Sequence, residues 1–173
     1  LENSNYGFFK TYELNKDTIQ YGENGGAQWT GASVDPYNNT MYVTANNIPW
    51  KVGVREHKNK KTGRIKYISK NAEPLRDLDG YPGVKPPWGT LTSINLNNGK
   101  IIWQVPLGYY EDLKSKGIIT GTENFGGATA TAGGIVFAAG TLDKLIRAFD
   151  SENGTELWSY KLPYIGSAPP TVY

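Results

Sequence analysis

The sequence predicts an all-β protein built from a repeated four-stranded meander, and three observations carry that expectation. The first is composition. Among 173 residues there are 21 glycines, 10 prolines, 12 tyrosines and 5 tryptophans, and turn-forming dipeptides recur along the whole chain, the mark of many short strands rather than helices. The second is an internal repeat. "SINLNNGKIIWQVPL" (93–107) aligns with "AFDSENGTELWSYKL" (148–162), so that Asn95 matches Asp150, Gly99 matches Gly154, Trp103 matches Trp158 and Leu107 matches Leu162, every pair 55 residues apart. The third is a shorter echo: "APPTVY" from Ala168 resembles "ATATAGG" from Ala128 at an offset of 40 residues, a spacing that suits one four-stranded propeller blade.

The two aligned segments read as hairpins closed at Asn98-Gly99 and Asn153-Gly154, where both residues tolerate the positive φ a tight turn asks for. On their second strands Trp103, Val105 and Leu107, and Trp158, Tyr160 and Leu162, alternate onto one face, predicting that face to be buried and both tryptophans to be packing residues. Upstream of each hairpin lies another strand pair, "TGASVDP" with "TMYVTAN" and "ATATA" with "GIVFAAG". The expected organisation is one partial propeller domain: a blade over 27–107 interrupted by an insert at 47–88, a second blade over 127–162, and the start of a third at 168–173. In an antiparallel meander the insert and the connection 108–126 emerge on the same face. Function gathers on long loops held by a rigid scaffold, so that face is where a site is expected.

Composition narrows the chemistry. The net charge is +2, too small to imply a polyanionic partner, and no nucleic-acid role is expected. Cysteine is absent, which removes disulfides, thiolate metal sites and covalent haem from these residues. No apolar run approaches the roughly 20 residues that span a bilayer, and Leu1 opens without a charged leader and apolar core, so no signal peptide is expected here. His57, the single histidine, sits among lysines and arginines with no triad or ligand set, and reads as a solvated loop residue. Residues 51–70 hold eight of the 18 basic residues against one acid, Glu56. They read as a solvated, mobile loop, or else as a positive patch for an acidic protein, lipid headgroups or nucleic acid, the last weakened because Tyr67 is the only aromatic interleaved. Glu111, Asp112 and Glu123 offer carboxylates, but surface carboxylates are common and none is marked as a base. No phosphate-loop spacing occurs, and the glycine pairs precede strands rather than helices, so no dinucleotide fingerprint is expected. Gly126-Gly127 either admits a flat ligand against the backbone or forms a tight start to an inner strand.

At this point the residues resemble a known family. "GGAQWTGASVDPYNNTMYVTAN", "DGYPGVKPPWGTLTSINLNNGKIIWQVPLG" and "GTENFGGATATAGGIVFAAGTLDKLIRAFDSENGTELWSYKLP" are similar, in order and spacing from about Gly22 to Tyr173, to later blades of quinoprotein dehydrogenases using pyrroloquinoline quinone (PQQ), most narrowly the membrane-type glucose dehydrogenases. The resemblance implies an eight-bladed β-propeller whose blades dock through tryptophans, PQQ and calcium near its axis, and a periplasmic location. Upstream sequence would supply any membrane association. The implied activity is oxidation of a sugar or other alcohol, with electrons passed to a quinone or cytochrome. No residue here matches the family's catalytic aspartate or its quinone-polarising lysine. Catalytic residues and calcium ligands are therefore expected outside this chain, which is expected to be inactive alone and to self-associate or require further blades.

The family's N-x-G-G step stands here as Asn124, Phe125, Gly126 and Gly127, where an amide could hydrogen-bond a quinone oxygen; an ordinary turn-forming asparagine is the alternative. Trp29 stands at the corresponding start of the earlier blade, lining the pocket or packing in the core. Relatives often carry an acid where Gln28 stands, so no charge role follows there. A competing reading keeps the fold without the enzyme: a PQQ-type repeat propeller serving as a protein-binding scaffold, as in outer-membrane assembly lipoproteins. A basic-loop adaptor using residues 51–70 is the third.

Overall fold

The computed structural model describes residues 4–6, 10–21 and 25–173, without the side chains of residues 4–6, 70 and 71; the resemblance's starting point at Gly22 lies outside the described residues. The chain runs β1 (Ser4–Tyr6), β2 (Asp17–Gln20), β3 (Gly25–Ala27), β4 (Ser33–Asp35), β5 (Thr40–Asn47), β6 (Trp50–Lys58), β7 (Ile65–Pro74), β8 (Gly89–Asn95), β9 (Ile101–Pro106), a one-turn helix α1 (Glu111–Lys114), β10 (Ala128–Ala130), β11 (Ile135–Ala138), β12 (Leu145–Asp150) and β13 (Glu156–Lys161). It divides into two compact units, Leu1–Asn24 with Ile48–Val84 and Gly25–Asn47 with Lys85–Tyr173.

The second unit contains the two predicted blades. Strands β3-β5-β8-β9 form one antiparallel sheet, with β4 also on β5, and β10-β11-β12-β13 form the other. The innermost strand of the first blade is split, because β3 pairs with 45–47 of β5 and β4 with 40–42. The 55-residue repeat is structural to the level of single hydrogen bonds. Ser93 opposes Trp103 and Ala148 opposes Trp158, and a register shift follows each at the next residue. Leu107 N–H donates to Gly89 O as Leu162 N–H donates to Lys144 O, at 2.9 and 2.8 Å.

The turns differ from the expectation in one respect. Gly99 and Gly154 have φ of 70° and 74°, but Asn98 and Asn153 are not in the positive region. The work falls to the residue four places earlier. Asp150 Oδ1 accepts the N–H groups of Glu152 and Asn153 at 2.8 and 3.3 Å, and Asn95 Oδ1 that of Asn97 at 2.8 Å. These side chains imitate a backbone turn, and glycine then makes the left-handed exit that returns the chain to the ladder.

The core lies between the two blades rather than within either: Tyr42, Leu91, Trp103 and Leu107 of the first pack with Ala128, Val136, Ala138 and Phe149 of the second. Trp103 is 9% exposed. Its indole N–H donates to Ser151 O at 3.0 Å, and the Tyr42 hydroxyl donates to the same oxygen at 3.3 Å. Gly154 lies beneath the indole, where a Cβ would stand 2.7 Å from Trp103 Cε3. Trp158, at the equivalent position of the second blade, is 50% exposed and stacks on Tyr160, ring centroids 6.2 Å apart. Its expected burial is corrected: all six residues of β13 are exposed, because a blade's last strand is covered by its neighbour and not by its own sheet. Residues 168–173 form no strand, although Thr129 Oγ1 donates to Pro170 O at 2.6 Å.

In the first unit, residues that read as a solvated loop form strands. The order is β1-β2-β6-β7, with β6 and β7 a long antiparallel hairpin from Trp50↔Pro74 to Lys58↔Ile65. Lys51 pairs with Glu73 at 2.7 Å and Arg55 with Asp17.

Trp103→Ala is expected to cost about 3–5 kcal/mol, as for other buried large aromatics, and Trp158→Ala in this chain less than about 1 kcal/mol. Urea unfolding of both variants checks this; equal losses contradict the assigned packing.

Candidate functional site

The stems of the insert and the connection between blades meet as expected, at one end of the sheets. Asn47 N–H donates to Trp88 O at 2.8 Å, Trp88 N–H to Thr120 O at 2.7 Å, and Thr122 N–H to Leu107 O at 2.9 Å. This weave leads into Asn124, Phe125, Gly126 and Gly127, immediately before β10.

Asn124 is 0% exposed. Its backbone N–H donates to Asn46 Oδ1 at 3.0 Å, and Asn46 Nδ2 donates back to Asn124 O at 2.9 Å. One side-chain amide thus pairs with a peptide as a neighbouring strand would. Asn124 Nδ2 donates to Ala45 O at 3.1 Å and to Asn46 Oδ1 at 2.8 Å. Two acceptors fix the amide's orientation, since the flipped form would place oxygen against oxygen. Both N–H groups are therefore used inside the protein, and the atom left without a partner is the buried Oδ1, an acceptor. An amide serving a quinone oxygen must donate. As folded here, Asn124 acts as an inner clamp between β5 and the second blade.

Gly126 is in the same position. A Cβ there would lie 2.5 Å from Ala139 O and 2.9 Å from Gly166 O, and Thr44 Oγ1 donates to Gly126 O at 2.9 Å. The missing side chain admits protein backbone, which favours the tight strand start over an open ligand cradle. Gly127 is bounded by Pro169 Cγ at 3.0 Å and Thr30 Oγ1 at 3.1 Å from an added Cβ. Trp29 is 92% exposed, so it does not pack in the core, and of the four residues singled out it alone presents an open surface. Gln28 is buried, its N–H on Thr44 O at 2.9 Å. Glu111 and Asp112 are exposed on α1, whereas Glu123 is buried rather than at the surface. His57 is exposed on β6.

Sequence reasoning missed Asn46, whose partner lies 78 residues away, and Arg147. Arg147, 1% exposed, forms a two-pronged ion pair with Asp143, donates from Nε to Glu156 Oε2 at 3.1 Å and from Nη1 to Thr141 Oγ1 at 3.1 Å. Tyr109 N–H donates to Asp143 Oδ2 at 3.0 Å, tying the connection between blades to β12. A cleft of about 260 Å³ opens beside these groups, with Lys114 Nζ 3.6 Å from the centre of the Tyr109 ring. The Arg147 guanidinium on its wall is already taken up by Asp143 and Glu156. Among the described residues no three His, Cys, Asp or Glu side chains gather as metal ligands, and no helix is long and apolar enough to cross a membrane.

The signature described as "Glucose/ethanol/alcohol dehydrogenase, beta-propeller domain" of the PQQ group matches residues 2–173. The chain is 33% identical to the glycerol dehydrogenase large subunit of Gluconobacter oxydans over 98% of its length and 27% of that protein's. It is 32% identical to the quinate/shikimate dehydrogenase (quinone) of Acinetobacter baylyi over 88% of its length and 22% of that protein's. The solved quinohemoprotein alcohol dehydrogenase of Comamonas testosteroni matches with a TM-score of 0.60 at 24% identity, covering 92% of this chain and 22% of that one, and so attests the β-propeller fold. The chain belongs to the PQQ-dependent dehydrogenase β-propeller family. It spans about a quarter of the length of the curated relatives.

The Asn46–Asn124 clamp and the Asp143–Arg147 ion pair each contribute measurably to stability. Asn46→Ala and Asn124→Ala are each expected to cost about 1–3 kcal/mol, the range for a buried polar partner left unpaired; in a double-mutant cycle the pair should couple by about 1 kcal/mol or more, and additive losses contradict the clamp. The ion pair responds to pH. Burial alone would raise the Asp143 carboxyl above its ordinary 3.8, but hydrogen bonds from Arg147 and Thr141 and the guanidinium charge outweigh it and hold the carboxyl low. Its contribution to stability is therefore complete above the unfolded value and lost as pH falls through the lower folded one. Urea midpoints should drop between about pH 5 and 2, and Asp143→Asn, less stable at pH 7, should show a flatter dependence there.

Proposed function

We propose that the chain forms two blades of the propeller of a PQQ-dependent dehydrogenase that oxidises a sugar or other alcohol and passes electrons to a quinone or cytochrome in the periplasm. The observation that carries this reading is the match of residues 2–173 to the dehydrogenase propeller, supported by the blade geometry. When bound, PQQ accepts the hydride equivalent from the alcohol. This chain's residues do not enclose such a group by themselves: the donors of Asn124 are used within the protein and the space at Gly126 is filled by backbone. No catalytic step is therefore assigned to them. Their proposed part is to hold the frame. Asn46, Thr44 and Asn124 fix the start of the inner strand, and Trp29 offers an open aromatic face to a flat ring near the axis. The catalytic base, the quinone-polarising group and the calcium ligands are proposed to lie in other blades, leaving the 173-residue chain inactive by itself and dependent on further blades or self-association.

The test is dye reduction by the full-length protein supplied with PQQ and Ca²⁺, across aldoses, polyols and cyclic hydroxy acids. Turnover is expected with at least one class, and none with the 173-residue chain. Trp29→Ala in the full-length protein should weaken PQQ binding by up to about tenfold, the scale of one aromatic contact, without moving the urea midpoint. Absence of turnover with every substrate overturns the assignment; turnover by the 173-residue chain overturns the placement of the catalytic groups elsewhere.

A further inference from the structure

The far end of the β6–β7 hairpin carries chemistry that a propeller blade does not use. Strand β2 pairs with β6 only over Trp50–Gly53, and the Leu14 bridge reaches Val54. Beyond that point β6 and β7 continue as a two-stranded ribbon, from Arg55↔Ile68 to Lys58↔Ile65, with no third strand among the described residues. Such a ribbon is marginal in water. Its turn is nonetheless well built: Asn59 Oδ1 accepts the N–H groups of Lys61 and Thr62 at 2.9 and 3.0 Å, and Gly63 N–H donates to Asn59 O at 2.9 Å.

The charge distribution along this hairpin is graded. Near its base Lys51 and Arg55 are neutralised by Glu73 and Asp17. Residues 58–66 hold five cations, Lys58, Lys60, Lys61, Arg64 and Lys66, and no acid. All five are exposed, and among the described residues none has an ion-pair partner. Between and beside them Ile65, Tyr67 and Ile68 are 46%, 66% and 43% exposed. Directly opposed residues share a face, so Lys58, Ile65 and Tyr67, with Glu56 opposite Tyr67 at the ribbon's base, lie on one side and Lys66 and Ile68 on the other. Cations and apolar groups thus surround the tip instead of forming one flat patch. A rigid protein groove would meet only one side; a fluid layer of anionic headgroups can close around both. Lysine and arginine pair with lipid phosphate, while tyrosine and isoleucine enter the boundary between headgroups and acyl chains. A single aromatic gives little to stack on single-stranded nucleic acid.

We propose that residues 58–68 dock the protein on an anionic lipid surface, with Lys58, Lys60, Lys61, Arg64 and Lys66 against lipid phosphates and Tyr67 and Ile65 at the headgroup boundary. This does not depend on the dehydrogenase assignment. Each cation near such a surface is worth about fivefold in partitioning at low salt, reduced here by screening and by the tip's two-sidedness.

Flotation of the 173-residue chain with vesicles tests it, comparing phosphatidylcholine alone with a mixture containing phosphatidylglycerol. Binding to the anionic vesicles should be at least about tenfold stronger and should largely vanish at high salt. The combined variant Lys60→Glu, Lys61→Glu and Arg64→Glu, all exposed and checked by circular dichroism, should lose it. Tyr67→Ser should lower the residual binding that persists in salt. Equal flotation with both vesicles, an unchanged triple variant, or binding to polyglutamate with none to anionic vesicles overturns the proposal, the last in favour of an acidic protein.

Discussion

The seat of Trp103 on Gly154 is the contact on which the pair of blades depends. A four-stranded meander has no core of its own. Its last strand, β9, is exposed at alternate positions and gains cover only where another sheet lies against it. The indole supplies that cover, and its N–H closes on Ser151 O together with the Tyr42 hydroxyl. That carbonyl belongs to a turn, so the angle between blades is set by whatever sets the turn. Asp150 does so by taking two turn N–H groups on one carboxylate oxygen, and Gly154 by having no side chain to lift the ring.

A second seam lies at the opposite edge, where Asn46 and Thr44 of β5 hold Asn124 and Gly126. Side-chain amides do there what a ladder would do, the Asn46 amide accepting from the Asn124 N–H and donating to the Asn124 carbonyl. With one seam aromatic and the other amide, the wedge between blades is held at both ends, and the buried Arg147 network adds a tie from the connecting segment to β12. These contacts make a stiff frame rather than a reactive pocket.

Much of this frame is legible in the sequence because it is local and repeated. The 55-residue alignment anticipates β8, β9, β12 and β13, and even the register shift falls at the same place in both. The β6–β7 hairpin was not legible by hydrophobic alternation, since lysines occupy both of its faces. A different signal was present: Asn59 and Gly63 have the same spacing as Asn95 and Gly99 and as Asp150 and Gly154, and build the same turn. Asn124 was legible as a position but not in its role, because the acceptors for its amide come from a strand nearly half the chain away. Trp158 and Trp29 show the same limit. Residue type predicts that a ring will be covered by something, but only the fold says whether the cover comes from these residues.

The Trp103 seat also has a handedness. The first blade contributes the ring and the second contributes the glycine, so the two partners of the seam are never alike. The second blade in turn carries an uncovered ring at Trp158, the same donor role one step on. A contact of this kind cannot be satisfied by two copies meeting about a two-fold axis, which would set ring against ring. It joins head to tail, and such contacts either return to their starting point after a fixed rotation or run on without end. The angle held by Ser151 O and Gly154 is therefore also a rule for arithmetic: it determines how many blades complete a circle.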